Sequence, residues 1–152
     1  MLLDIGCGPN KKAGYVGMDH YNFDGVDIVH DLRHFPWPLE DGSVQLVYAQ
    51  QILEHFNGWE LIGIIEEVWR ILQPGGQFVV QVSTKGSPNC GKDFTHQKTD
   101  WDEFSFDMWK KEDGEYIIER GPLYGIKGEF RLEQTMVDDN MDRTYVLTAV
   151  KT

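Results

Sequence analysis

Short apolar runs separated by turn-forming residues recur at Leu2 to Ile5, Tyr15 to Met18, Val26 to Val29, Val44 to Tyr48 and Phe78 to Val82. Continuous runs of this kind suit strands buried on both faces, and they predict a parallel sheet. Between the fourth and fifth runs, Leu61, Ile65, Val68 and Leu72 form one helical stripe, with Glu60, Glu66, Glu67 and Arg70 outside it. Asn57 or Gly58 can cap this helix, and Pro74-Gly75-Gly76 ends it before the sheet resumes through a right-handed crossover. Thr84 to Asp100 is too polar for core and long for a loop, the sort of segment that carries function. Beyond it, Trp101 to Trp109 predicts a short amphipathic helix and Lys110 to Gly114 a solvated link. Glu129 to Val137 and Arg143 to Val150 predict a hairpin around Asp138-Asp139-Asn140-Met141-Asp142.

Composition narrows the class. A chain of 152 residues predicts a single domain, 1–152, large enough for a conventional core. Lys and Arg total 14 against 25 Asp and Glu, a net charge of −11, which repels phosphate backbones and anionic lipid and disfavours nucleic acid as a partner. Cys7 and Cys90 lie in no ligand or disulfide spacing, so the expectation is no metal and a reduced, cytoplasmic setting. No apolar stretch is long enough to span a membrane. The chain runs from Met1 straight into the first strand, which predicts a soluble, untargeted protein with no N-terminal helix over its site.

The densest chemical signal is Leu3-Asp4-Ile5-Gly6-Cys7-Gly8-Pro9, a buried strand breaking into a glycine turn, with Asp19 closing the next strand. Glycines let a backbone turn sharply beside a ligand, and an acid at the neighbouring strand tip accepts from ribose hydroxyls. A dinucleotide site also needs a third glycine and a helix to hold pyrophosphate. Only Pro9 to Gly14 separate the turn from the next strand, too few for a useful helix. A nucleoside cofactor without phosphate fits instead. S-adenosylmethionine has adenine, ribose and a cationic sulfonium that suits a rim of Asp4, Asp19 and Asp31.

The ordered segments LDIGCGP, GYVGMD, VDIVHDL, VQLVYAQQILEHF and LQPGGQFVVQV resemble the class I SAM-dependent methyltransferases over about the first 100 residues. The resemblance is to a compact subgroup that lacks the first helix and carries a D-x-T-H element on the acceptor side, here Asp93-Phe94-Thr95-His96. It implies an α/β, Rossmann-like, seven-stranded, mostly parallel sheet with an antiparallel C-terminal strand and abbreviated helices. It also implies S-adenosyl-L-methionine as cofactor, with S-adenosyl-L-homocysteine as product.

The resemblance further implies that Gly6, Cys7 and Gly8 pass the methionine portion, that Asp19 takes the ribose, and that Asp31 and Leu32 meet adenine. For Asp31 the alternative is a cap on the following turn. Asp4 either orients the glycine turn or contacts the donor's ammonium group, since a carboxylate inside a strand is costly unless hydrogen-bonded or near a cation. His20 flanks adenine or sits at the surface, and Gln50 is expected to face the methionine end. For a base, His55 resembles a position near the acceptor, or is a helix-start histidine bonded to backbone. His96, with Asp93 to orient it, is a base or a loop organiser. Trp37, Trp101 and Trp109 shape an acceptor pocket or pack the core.

Pro36-Trp37-Pro38 cannot be helical inside, so the connection after the third strand is abbreviated too. A sheet short of helices leaves apolar surface for the C-terminal segment or a second subunit to cover, and a monomer by light scattering would eliminate the second option. The expected activity is methylation of a small-molecule or glycan-type acceptor, most simply on oxygen. The rival is a non-catalytic SAM-binding accessory module. A nucleotide-sugar or NAD oxidoreductase is disfavoured by the missing third glycine and the absence of a Tyr-x-x-x-Lys dyad.

Overall fold

Every predicted apolar run becomes a strand of one sheet. A computed structural model describes residues 1–110 and 120–152. Its strands are β1 (Leu2–Ile5), β2 (Val16–Asp19), β3 (Ile28–Val29), β4 (Val44–Gln50), β5 (Leu72–Ser83), β6 (Phe130–Val137) and β7 (Asp142–Ala149). Their order across the seven-stranded sheet is β3-β2-β1-β4-β5-β7-β6, with β7 antiparallel to both neighbours and the β1 to β5 pairings parallel. β3 is shorter than its apolar run because Asp27 turns its carboxylate onto Gly17 N and Lys11 Nζ.

The α-helix α1 spans Gly58–Ile71. Asn57 caps it by accepting from Trp59 N and Glu60 N, while Glu60 accepts from the amide of Asn57, a capping box. Pro74-Gly75-Gly76 does not separate helix from strand as expected. Pairing already begins at Leu72 against Val44 and resumes at Gln77 against Leu46, so the Pro-Gly-Gly segment is looped out of β5 at an irregularity. Glu67 and Arg70 on α1 strap down the Pro36-Trp37-Pro38 segment: Glu67 accepts from Trp37 N, and Arg70 donates to Trp37 O and Leu39 O.

The helix-facing side of the sheet is core. Leu3, Ile5, Val47, Ala49, Phe78, Val80, Tyr145 and Leu147 alternate inward beneath Ile64, Ile65 and Val68. The other side is only partly covered: Leu46, Tyr48, Val79 and Val146 stay half-buried, so these strands are not buried on both faces. Among the described residues, the C-terminal segment does not cover them. Trp101 to Trp109 packs on the α1 side, with Phe106 against Tyr145 at 4.8 Å and Trp109 Nε1 donating to Glu66. Its expected helix is a set of turns ending in a 3-10 turn at Asp107–Trp109. The Asp102 carboxylate accepts from Phe104 N and Ser105 Oγ, local bonds that compete with a helix. Residues 111–114 of the predicted solvated link lie outside the described residues.

Candidate functional site

The C-terminal ends of β1 and β2 and the segment after β3 meet the 3-10 turn Leu53–His55 around a cavity of about 510 Å³. Gly6, Asp19, His20, Asp31, Leu32 and His55, all expected from the sequence, line it beside Tyr21, Phe23, Arg33, Ile52, Phe56 and Thr95. The volume suits a small ligand, and open α/β sheets bind at this end of their strands.

Asp19 is only 7% exposed. Its Oδ2 accepts from Gly8 N and its Oδ1 from Tyr21 N, both at 2.9 Å. Each oxygen keeps lone-pair capacity for a ribose hydroxyl. His20 stacks on Tyr21 with ring centroids 3.8 Å apart. Gly6 has φ +62°, and a Cβ there would lie 2.3 Å from Ile52 Cγ1, so glycine is what leaves room at this wall. Asp31 is held by Arg33 through two side-chain hydrogen bonds, which keep its carboxyl well below the usual range. Leu32 is buried, and its carbonyl accepts from the indole of Trp37, which belongs to the core.

Four expected donor residues lie off the cavity lining. Asp4 pairs with Tyr48 in the sheet and so shares its partly covered face, accepting from Lys12 N at 2.9 Å, which fits a role in orienting the glycine turn. Cys7 packs near Gly17, and burial first, then Asp4 and Asp19, push its thiol up to about 11. Gly8 contributes its amide to Asp19. Gln50 is exposed, its amide donating to Gln81.

A second cavity, of about 650 Å³, adjoins the first and shares His55 and Thr95 with it. Asp93, His96, Lys92, Asn89, Phe94 and Gln51 complete its wall. The loop bearing the D-x-T-H element is pinned to the Leu53–His55 turn: Gln97 N and Lys98 N donate to Glu54 O, and Gln97 Nε2 to His55 O. Asp93 turns to Thr95, accepting from its hydroxyl at 2.5 Å and its amide at 2.9 Å. From His96 Nε2 it stands 3.8 Å away. The His96 side chain is 6% exposed with Nδ1 unpartnered. His55 bonds the Thr95 hydroxyl and, besides it, the backbone of Gln51. His55, Asp93 and His96 bring groups of metal-binding type within 4.8 Å of one another, and the Thr95 hydroxyl bridges His55 and Asp93.

Glu54 lies beneath this loop, fully buried, with Oε1 accepting from Ser83 N and Oε2 unpartnered. Burial raises its pKa. The folded state therefore holds the extra proton between the unfolded and folded values, and this group lowers stability as pH rises through that window. Glu54→Gln removes the dependence. In urea unfolding the variant should gain on the wild type as pH rises above the ordinary carboxylate range, and a pH-independent difference contradicts this.

The sequence reading missed Ile52, Arg33, Tyr21, Phe23, Phe56 and Thr95 as cavity residues. Tyr21 and Phe23 carry a signal, being aromatics just past a strand-end acid. Thr95 stands inside the quoted D-x-T-H element. Ile52 carries none, because its place follows from the turn after β4, where Gln51 takes φ 53°.

This strand order, with the reversed β7 inserted beside β6, and a cleft over the ends of β1 and β2 define a class I methyltransferase fold. Residues 28–80 match the methyltransferase domain family. A protein of Mycolicibacterium smegmatis named as a probable S-adenosylmethionine-dependent methyltransferase is 29% identical over 111 residues, 60% of this chain. The chain spans 41% of that relative's length. The PH0226 protein of Pyrococcus horikoshii superposes with TM-score 0.60 at 20% identity, covering 97% of this chain and 81% of the other. Phosphoethanolamine N-methyltransferase 1 of Haemonchus contortus, solved with phosphoethanolamine and S-adenosylhomocysteine, gives 0.65 at 13% identity, covering 99% and 39%. The domain match over residues 28–80 and the named relative make the chain similar to the S-adenosylmethionine-dependent methyltransferases, and the solved neighbours share its fold. No helix among the described residues is long and apolar enough to cross a membrane.

Proposed function

We propose that residues 1–152 form one methyltransferase domain that methylates a small-molecule or glycan-type acceptor on oxygen. The observation that carries this reading is the junction of the two cavities at His55 and Thr95, where a donor in one meets an acceptor in the other. When bound, S-adenosylmethionine supplies a methyl group on a cationic sulfur and leaves as S-adenosylhomocysteine. Asp19 takes the ribose hydroxyls, Leu32 and Asp31 meet adenine with His20 beside them, and the Gly6-Cys7-Gly8 backbone, braced by Asp4 through Lys12 N, passes the methionine end. His55, Asp93 and His96 serve the acceptor side, where a hydroxyl must lose its proton.

The net charge of −11 supports an acceptor other than nucleic acid. Two free thiols support a reducing, cytoplasmic setting. The partly covered sheet face supports a second copy of the chain as partner, and the light-scattering measurement decides it.

The test of function is incubation with methyl-labelled S-adenosylmethionine and panels of hydroxylated small molecules, saccharides and nucleic acids. Label on a hydroxyl of the first two panels, with S-adenosylhomocysteine released, is the expected result. Label on nucleic acid overturns the acceptor class. Donor binding with no transfer to any panel favours the accessory-module reading.

A further inference from the structure

The bonds around Thr95 constrain where protons sit. A threonine hydroxyl has one hydrogen and two acceptor lone pairs, while an ionised carboxylate only accepts. The Thr95 hydroxyl lies 2.5 Å from Asp93 Oδ1 and 2.8 Å from His55 Nδ1. Its hydrogen must point to Asp93, because Asp93 has none to give. The carboxyl of Asp93 is held below its ordinary range by these same Thr95 bonds, so it is ionised near neutrality. The bond to His55 is then satisfied one way only, with Nδ1–H donating to the Thr95 oxygen. The neutral ring has its single proton on Nδ1, and Nε2 keeps an open lone pair. His55 lines both cavities.

We propose that Thr95 is a positioning residue: it relays the charge of Asp93 to His55, fixes the Nδ1–H tautomer, and so makes His55 Nε2 the proton acceptor for the acceptor hydroxyl. This rests on the functional reading above and assigns its base to His55. As the acceptor oxygen bonds to the methyl carbon and the carbon–sulfur pair passes to sulfur, the hydroxyl proton passes to Nε2. The resulting imidazolium is stabilised through Thr95 by Asp93. The substrate class is accordingly a neutral hydroxyl that needs deprotonation, not a nucleophile already carrying a free lone pair and no proton to lose. His96 packs edge-on against His55 at 4.7 Å between centroids, its side chain 6% exposed, which suits a wall of the relay. Burial, and next His96, lower the pKa of His55, so the neutral ring is present near neutral pH.

The test reads the tautomer directly, by NMR of isotope-labelled imidazole nitrogens in the intact chain near pH 8, with His55→Gln to assign the signal. Wild type should show His55 protonated on Nδ1, Thr95→Ser should keep that form, and Thr95→Val should move the proton to Nε2. A wild-type ring protonated on Nε2, or a Thr95→Val ring unchanged from wild type, overturns the proposal. The wild-type spectrum decides even if Thr95→Val fails to fold. Donor binding is measured separately, so a failure of the relay and a failure of the methyltransferase reading are told apart.

Discussion

Gly6→Ala is expected to reduce affinity for S-adenosylmethionine by about 100-fold or more and to destabilise the fold by about 2 kcal/mol. Both effects arise at one atom. The new Cβ would lie 2.3, 2.7 and 2.8 Å from Ile52 Cγ1, Cδ1 and Cβ, so Ile52 must move, and Ile52 and Gly6 share the wall of the proposed donor cavity. The backbone adds strain, since φ at +62° is costly for a residue with a side chain. Gly8→Ala is the control. Its φ is +55° but nothing lies within 4 Å of the added Cβ, so it should show the backbone strain of about 1 kcal/mol with a far smaller effect on binding. Calorimetry with urea unfolding separates the two contributions, and equal affinities for Gly6→Ala and wild type contradict the placement of the donor.

Asp19→Ala is expected to weaken donor binding by about two to three powers of ten. Asp19 organises the cleft and, in this account, touches the ligand. Its removal strands Gly8 N and Tyr21 N, each now bonded to the carboxylate at 2.9 Å, and withdraws the acceptors for the ribose hydroxyls. Hydrogen bonds to a charged group contribute about 1.5–3 kcal/mol each, so losing those to ribose alone spans the stated range. Asp19→Asn, which keeps one acceptor oxygen and the shape, should fall between. Affinity of Asp19→Ala within a factor of about three of wild type would show that the ribose sits elsewhere.

Much of this fold was legible because apolar runs and their interruptions are local. β1 occupies Leu2–Ile5 as read, and Asn57 opens α1 because its side chain meets amides within its own turn. What misled the reading was non-local. Which strand residues face a helix depends on where the helix packs, so Asp4 sits on the partly covered face, away from the cavity. Trp101 to Trp109 has helical spacing, yet the side chains of Asp102 and Ser105 bond the local backbone and leave only a 3-10 turn. At the site, Asp19, Gly6 and Asp31 were readable from strand ends. The Thr95 bridge was not, because it joins a loop to a turn 40 residues away.

We propose that the cavity over β1, β2 and β3 holds the methyl donor. Calorimetric titration of the wild-type chain with S-adenosylhomocysteine and with S-adenosylmethionine tests it most directly. One binding event is expected for each ligand, lost together in Asp19→Ala. Absence of binding by either ligand to the folded wild-type chain would contradict it.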